Sequence, residues 1–291
     1  MVASLRSRLS AKPILLTPGV YDALTACLAE QAGFEALYVS GAGIAYTRLG
    51  RPDIGLVSMA EVTETIALIR DRVGVPLIVD ADTGYGNALN VQRTMRAFER
   101  AGANALQLED QTYPKRCGHL ADKGVIPTSE MTGKIKAAVD ARHDPETLVI
   151  ARTDAVAVEG FERAIERALA YREAGADVLF VEAPKTHDQL RAVATALGGE
   201  VPLMANMVEG GQTPLTGAAD LEALGFALVI FPGAVVRAVA KAAQDFYATL
   251  RQHGTSAPFA PRMFDFDALN DVIGTPAMLD LGRRYEGGEP S

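Results

Sequence analysis

The stretch Pro76-Leu77-Ile78-Val79-Asp80-Ala81-Asp82-Thr83-Gly84-Tyr85-Gly86 decides the fold. Its proline stops the preceding segment and leads into extended chain. Three apolar residues follow without polar alternation, the mark of a strand buried on both faces under helices. The strand then runs directly into acids and glycines. In α/β folds, sites form at this C-terminal end of the strands.

The same unit recurs on either side. Apolar runs at residues 14–16, 37–39, 77–79, 105–108, 148–151, 178–181, 203–205 and 228–231 read as eight strands. Helical patterns such as 90–100, 161–174 and 186–196 lie between them. Strands alternating with helices predict a parallel sheet with right-handed crossovers. Strands two, four, six and eight follow helices that end in Gly33, Gly102, Gly175 and Gly225, where glycine takes a left-handed cap without a Cβ clash. The odd strands follow Pro13, Pro76, Pro145 and Pro202. Four pairs of alternating entries favour a closed (β/α)8 barrel over an open doubly wound sheet. The chain reads as a single α/β domain over 1–291, with 255–291 as a C-terminal extension. The helical pattern over 266–284 has apolar positions that need a partner. Segments 41–57 and 110–126 read as long strand-to-helix loops, which usually carry function.

With 291 residues, 48% of them hydrophobic, the chain can bury a large core; aromatics at 6% and no Trp leave Ala, Leu and Val to fill it. A net charge of −8 argues against non-specific nucleic-acid binding but not against an anionic small substrate in a locally positive site. Cys27 and Cys117 lack metal-type spacing. No apolar run has the length of a signal peptide or a membrane span. A reduced cytoplasmic protein is the expectation.

Polar residues stand at the strand ends: Ser40-Gly41-Ala42-Gly43, Asp80-Ala81-Asp82, Glu109-Asp110, Arg152-Thr153-Asp154, Glu182 and Asn206. Burying so many unpaired charges for structure alone is costly, whereas a ligand and a metal shared at one mouth account for them together. Asp80 and Asp82 are alternate residues and suit Mg²⁺, which keeps several waters; Asp53 and Glu109 supply water-mediated contacts. The competing reading is a structural hydrogen-bond cluster. Ser40, Gly41 and Ala42 can offer backbone N–H groups to a carboxylate or form an ordinary glycine turn. No dinucleotide fingerprint or Walker lysine is present. Arg152 suits a bidentate carboxylate clamp, a salt bridge to Glu182 or Asp154, or both. Arg237, on a helix after Pro232-Gly233, either reaches the mouth or faces solvent.

Lys115-Arg116-Cys117-Gly118-His119 is the most unusual segment. Its cations and histidine predict a Cys117 thiol of lowered pKa, able to act as acid, base or nucleophile, beside a mobile Gly118. The alternative is a basic surface loop with an incidental cysteine. Cys27 sits in an apolar helical pattern and reads as a buried, inert thiol; His143, His187 and His253 read as surface residues.

Several segments together resemble the isocitrate lyase/phosphoenolpyruvate mutase superfamily over about residues 17–237: Tyr38-Val39-Ser40-Gly41, Asp80 through Asn87, Glu109-Asp110-Gln111, Lys115 through His119, Ala151-Arg152-Thr153-Asp154 and Asn206-Met207. The resemblance implies a modified TIM barrel that binds a 2-oxo acid or enolate with Mg²⁺, or Mn²⁺ in its place. It also implies a homotetramer with an exchanged C-terminal helix. By position, Ser40, Gly41 and Ala42 match the carboxylate-binding turn, and Asp80 the direct metal ligand with Asp82, Asp53 and Glu109 in support. Arg152, Glu182 and Asn206 match residues around the substrate, with Arg237 as a further candidate. Tyr38 matches a proton-transfer residue, and Cys117-Gly118, joined by His119, the mobile loop of the carbon–carbon lyase branch.

The run Asn206-Met207-Val208-Glu209-Gly210-Gly211 is more similar to the 2,3-dimethylmalate lyase and oxaloacetate hydrolase groups than to 2-methylisocitrate lyase, where Thr commonly follows Asn-Met. The implied activity is a Mg²⁺-dependent lyase that cleaves a substituted malate to pyruvate and a monocarboxylate through an enolate. Oxaloacetate hydrolysis or decarboxylation is the first alternative and 2-methylisocitrate cleavage the second. A non-catalytic metabolite-binding barrel is a third, against which the combined Asp80, Arg152 and Cys117 set argues.

Overall fold

A computed structural model describes residues 4–118 and 122–285. Eight parallel strands close into a barrel: β1 (Leu15–Val20), β2 (Leu37–Val39), β3 (Leu77–Asp80), β4 (Ala105–Glu109), β5 (Leu148–Thr153), β6 (Val178–Val181), β7 (Leu203–Asn206) and β8 (Leu228–Phe231). Each pairs with the next, and Leu15↔Leu228 through Pro18↔Phe231 close β1 on β8. The helices, in chain order, are α1 (Leu5–Leu9), α2 (Ala23–Gln31), α3 (Gly41–Ile44), α4 (Met59–Arg72), α5 (Ala88–Ala101) and α6 (Thr128–Ala141). They continue with α7 (Phe161–Glu173), α8 (His187–Leu197), α9 (Ala218–Leu224), α10 (Ala234–His253), α11 (Phe266–Ile273) and α12 (Thr275–Tyr285).

The glycine entries perform the conformational task their type allows. Gly33, Gly102, Gly175 and Gly225 stand at φ +88°, +106°, +103° and +111°, ending α2, α5, α7 and α9 before the even strands. Two apolar layers result. One lies between strands and helices and holds Leu77, Val79, Leu106 and Val149. The other fills the barrel and holds Tyr38, Ile78, Ala105, Ile150, Phe180 and Met204. Leu5 and Leu9 of α1 belong to this inner layer and close the N-terminal end of the barrel. No helix is read there from the sequence, although two leucines four apart mark one helical face.

Strand side chains alternate between faces. Two residues beyond the inward Tyr38, Ile78, Ala105, Ile150, Phe180 and Met204 come Ser40, Asp80, Gln107, Arg152, Glu182 and Asn206. Strand parity alone therefore aims these groups at the barrel axis, above the inner apolar layer.

Two expectations change. Residues 41–57 are not all loop, because α3 and a π-turn at Ala45–Leu49 occupy the start, ending at Gly50 with φ +59°. The helical pattern over 266–284 is broken by Gly274 at φ +80° into α11 and α12. The chain divides into two compact units, Met1–Val236 and Arg237–Ser291. Within the second, Phe246 meets Phe259 edge-on at 5.5 Å, and the Arg262 guanidinium lies 4.4 Å from the same ring. Among the described residues, no helix is long and apolar enough to cross a membrane.

Candidate active site

At the end of β3, Asp80 Oδ1 accepts from the Asp82 N–H at 3.2 Å and from Gln107 Nε2 at 3.4 Å. Asp82 adopts φ +47°, a left-handed conformation that an aspartate tolerates better than bulkier residues. Gly41 follows Ser40, which caps α3 by accepting from Gly43 N–H at 3.1 Å. The turn packs so closely that a Cβ on Gly41 would stand 3.1 Å from Asp80 Oδ2. Tyr38 is 2% exposed and its hydroxyl donates to Gln107 Oε1 at 2.8 Å. Burial, reinforced by Asp80, pushes its phenol well above the ordinary range, so it keeps its proton.

Lys115 crosses from the segment after β4 to these acids. Its Nζ lies 2.5 Å from Asp53 Oδ1 and 2.6 Å from Asp82 Oδ1. Burial alone would depress this ammonium, but Asp82, Asp53, Glu109 and Asp80 hold it well above the usual lysine range. Burial pushes Asp82 up to about 7 against the pull of Lys115, with Asp80 and Asp53 adding to the rise. Lys115 was expected to polarise the Cys117 thiol. Its charge is instead committed to Asp53 and Asp82, while Arg116 Nη1 lies 3.6 Å from Asp122 near the surface.

Across the mouth, Arg152 forks onto Asp154, with Nε to Oδ2 at 2.8 Å and Nη2 to Oδ1 at 3.0 Å. Its Nη1 lies 3.3 Å from Glu109 Oε2 and its Nη2 3.4 Å from Glu182 Oε2, above the Phe180 ring at 5.3 Å. Burial opposes the positive charge, but these three carboxylates raise the guanidinium well above its ordinary value. Asp154, though raised by burial, is brought down to about 2 by Arg152 and Lys123. Glu109 is pushed well above the carboxylate range by burial, despite Arg152. Glu182 Oε2 accepts from Asn206 Nδ2 at 3.0 Å.

The segment after β4 folds back on this cluster. Thr112 N–H donates to the Gly124 carbonyl at 2.9 Å, and Cys117 N–H to the Asp53 carbonyl at 3.2 Å. A Cβ on Gly118 would stand 2.4 Å from Arg152 Nη2 and 2.8 Å from Glu182 Cγ. Only a glycine lets this backbone lie against the guanidinium.

Thus Tyr38, Ser40, Gly41, Asp53, Asp80 and Asp82 converge on one side, and Glu109, Gly118, Arg152, Glu182 and Asn206 on the other. Ala42 lies in the first turn of α3, and Cys117 is tied by its backbone to Asp53. Arg237 opens the second unit, on α10. His119 lies outside the described residues. Cys27 is buried, and His143, His187 and His253 are exposed. Sequence reading missed Gln107, which bridges Tyr38 and Asp80, and Lys123, which meets Asp154 at 3.0 Å. The parity of β4 could have found Gln107, whereas nothing local marks Lys123.

The mouth has a charge deficit. The carboxyl groups Asp53, Asp80, Asp82, Asp154 and Glu182 outnumber the cations that reach the mouth, Lys115, Lys123 and Arg152, even with Glu109, which burial holds well above the carboxylate range, left out of the count. Glu109 Oε1 and Asn206 Oδ1 are buried without a hydrogen-bond partner. Among the described residues, no three His, Cys, Asp or Glu side chains form a ready-made metal cage. An excess of hard oxygen donors without a closed cage fits a cation that keeps much of its water, as Mg²⁺ does.

The family profile described as phosphoenolpyruvate phosphomutase matches residues 5–251. A 2,3-dimethylmalate lyase from Eubacterium barkeri is 42% identical over 286 residues, covering 98% of each chain. A 2-methylisocitrate lyase from Aeropyrum pernix is 45% identical over 270 residues, 93% of this chain and 86% of that one. An oxaloacetate acetylhydrolase solved with 3,3-difluorooxalacetate superposes with TM-score 0.93 at 35% identity, over 99% and 97% of the two chains. A phosphonopyruvate hydrolase solved with oxalate and Mg²⁺ gives TM-score 0.87 at 32% identity, over 97% of each.

Proposed function

The chain belongs to the phosphoenolpyruvate mutase/isocitrate lyase superfamily and is a lyase, and on that premise we propose that it cleaves a substituted malate of the 2,3-dimethylmalate or 2-methylmalate type into pyruvate and a monocarboxylate. The observation that carries this reading is the charge balance of the mouth. Lys115, Lys123 and Arg152 are each already matched by carboxylates. A tricarboxylate such as 2-methylisocitrate would bring one more anion into this surplus, whereas a methyl-substituted malate adds apolar bulk in its place. Desolvating an uncompensated charge is far costlier than burying a methyl group.

In the reaction, the C2–C3 bond of the malate breaks. A base at the mouth takes the proton of the 2-hydroxyl, whose oxygen becomes the keto group of pyruvate, and the bonding pair passes to C3. The enolate is that of the departing carboxylate, and it takes a proton to become the monocarboxylate. Asp80, with Asp82, Asp53 and Glu109 in support, would hold Mg²⁺, whose charge would stabilise the hydroxy-acid oxygens when bound. The N–H groups of Gly41 and Ala42 and the guanidinium of Arg152 hold the substrate carboxylates; Asn206 orients them, Glu182 holds Arg152 and Asn206 in place, and Arg237 is a further candidate contact. Tyr38, which keeps its proton, acts as a donor to an oxyanion rather than as a resting base. Cys117, with His119 beside it in sequence, protonates C3, and the backbone of Gly118 excludes water above Arg152.

Incubation with Mg²⁺ and 2,3-dimethylmalate, 2-methylmalate, oxaloacetate or 2-methylisocitrate, followed by NMR, tests the reading. Pyruvate with propionate or acetate from the malates is the expected result. Oxalate and acetate from oxaloacetate, with inert malates, would replace the lyase reading with hydrolysis, a reading favoured by the oxaloacetate acetylhydrolase superposition. Complete chelation is expected to abolish turnover, and Mn²⁺ to restore it as Mg²⁺ does.

A further inference from the structure

Lys123 belongs to none of the motifs that mark the site, yet its side chain is 1% exposed. Its Nζ lies 3.0 Å from Asp154 Oδ1 and donates to the Gly118 carbonyl. Asp154, itself fully enclosed, is the carboxylate onto which Arg152 forks. Gly118, in turn, rests against Arg152 Nη2. A closed circuit results: Lys123 to Asp154, Asp154 to Arg152, Arg152 to Gly118, and Gly118 back to Lys123.

Stability does not account for this circuit, because a buried ion pair gains little over an apolar replacement once desolvation is counted. Its electrostatics do have a consequence for ligands. Arg152 faces Asp154, Glu109 and Glu182, so its positive charge is largely spent before any substrate arrives. The ammonium sits on Asp154 Oδ1, the oxygen that Arg152 Nη2 also contacts, and competes with the guanidinium for that carboxylate's charge. The same ammonium fixes the carbonyl next to Cys117.

We propose that Lys123 is a positioning residue: by sharing Asp154 it leaves Arg152 with charge to hold a substrate carboxylate, and by binding the Gly118 carbonyl it fixes the backbone that carries Cys117. The proposal rests on the reading that a carboxylic acid binds beside Arg152.

Two measurements test it without knowledge of the natural substrate. The first is the rate of Cys117 alkylation by iodoacetamide, Cys27 being 3% exposed and thus protected. The second is the affinity for oxalate at saturating Mg²⁺, measured by calorimetry. Lys123→Met is expected to speed alkylation and weaken oxalate, each by about tenfold, the effect of losing one charge-assisted hydrogen bond. Lys123→Arg, which keeps the charge, is expected to restore both; a purely space-filling role would favour Met over Arg. Lys123→Gln serves if the Met variant fails to fold by circular dichroism. A folded Met or Gln variant with the wild-type alkylation rate and oxalate affinity overturns the proposal. Faster alkylation with unchanged oxalate affinity overturns the charge-sharing half and leaves a backbone anchor. If the wild-type protein binds no oxalate, the carboxylic-acid reading fails instead, and alkylation still decides the anchoring.

Discussion

At Gly118 the side-chain volume tolerated is zero, since any Cβ would enter the space of Arg152 Nη2 and Glu182. Gly118→Ala is therefore expected to raise KM and lower kcat/KM by about 10²-fold, as misplacement of a clamp does, with the melting temperature little changed. Cys117→Ser keeps the backbone bond to Asp53 but replaces a thiol acid with a much weaker one. Turnover is expected to fall by about 10²-fold or more with the fold and oxalate binding retained, and Cys27→Ser to leave turnover near wild type. A Cys117→Ser enzyme with full kcat would remove the cysteine from proton transfer. Asp154, brought down to about 2 by Arg152 and Lys123 against burial, fixes the sign of an acid effect. A carboxylate depressed in the folded state contributes stability that is fully present above its unfolded pKa, near 4, and is lost as pH falls through about 2. Urea titrations from pH 5 to pH 2.5 are expected to show a shallower loss for Asp154→Asn, by on the order of 2 kcal/mol across the full window. An identical acid limb would show that the pair is equally formed in the unfolded chain. These residue types were legible in the sequence as a polar rim, and their inward direction followed from strand parity. The committed partner of Lys115 was not, because a lysine next to a cysteine in sequence points elsewhere once the chain turns.

Among the elements, the alternation of proline and glycine entries carried the barrel, because each residue type imposes a backbone angle that no neighbour can supply. The irregular elements left weaker traces. Helix α1 is one turn and a fraction, too short for periodicity, and its burial depends on the barrel end it covers. The π-turn at Ala45–Leu49 has the composition of a helix and the backbone of a bulge. Two glycines give a matched test of how far backbone angle, rather than space, governs these elements. Gly225 caps α9 at φ +111°, and the nearest atom to a Cβ there would be 3.8 Å away, so only the angle opposes alanine. Gly133, inside α6, has ordinary helical geometry and open space around it. Gly225→Ala is expected to lower stability by about 1–2 kcal/mol, and Gly133→Ala to raise it by about 0.5–1 kcal/mol. Chemical denaturation of the two variants side by side checks the opposed signs. Equal shifts would mean that the cap relaxes by rearranging rather than by strain.

At the scale of the whole molecule, exposed apolar side chains crowd together along the end of the second unit, whereas those of the barrel unit, such as Leu68, Leu89 and Leu215, are spread along the chain. Helices α11 and α12 bury no residue, and they expose Phe266 at 83%, Met278 at 66% and Leu279 at 58%. Phe264, Ile273 and Leu281 stand exposed along the same stretch. An apolar run of this extent on a chain with net charge −8 needs a partner surface, because charge keeps the protein dispersed without hiding the patch. We expect that surface to be another copy of the chain, in a homotetramer that exchanges this segment. Light scattering at micromolar concentration is expected to give a single species of tetramer mass, with a melting temperature that rises with protein concentration. The triple variant Phe266→Ser, Met278→Ser, Leu279→Ser removes apolar area from the second unit and leaves the residues of the barrel unit unchanged, so it is expected to shift the mass downward while the far-ultraviolet spectrum of the barrel persists. A wild-type monomer at that concentration would refute the exchange. A variant that stays tetrameric would place the contact on other surfaces. If the smaller species also loses turnover, the exchanged segment reaches the barrel mouth, and Arg237 at the start of that unit becomes the first residue to substitute.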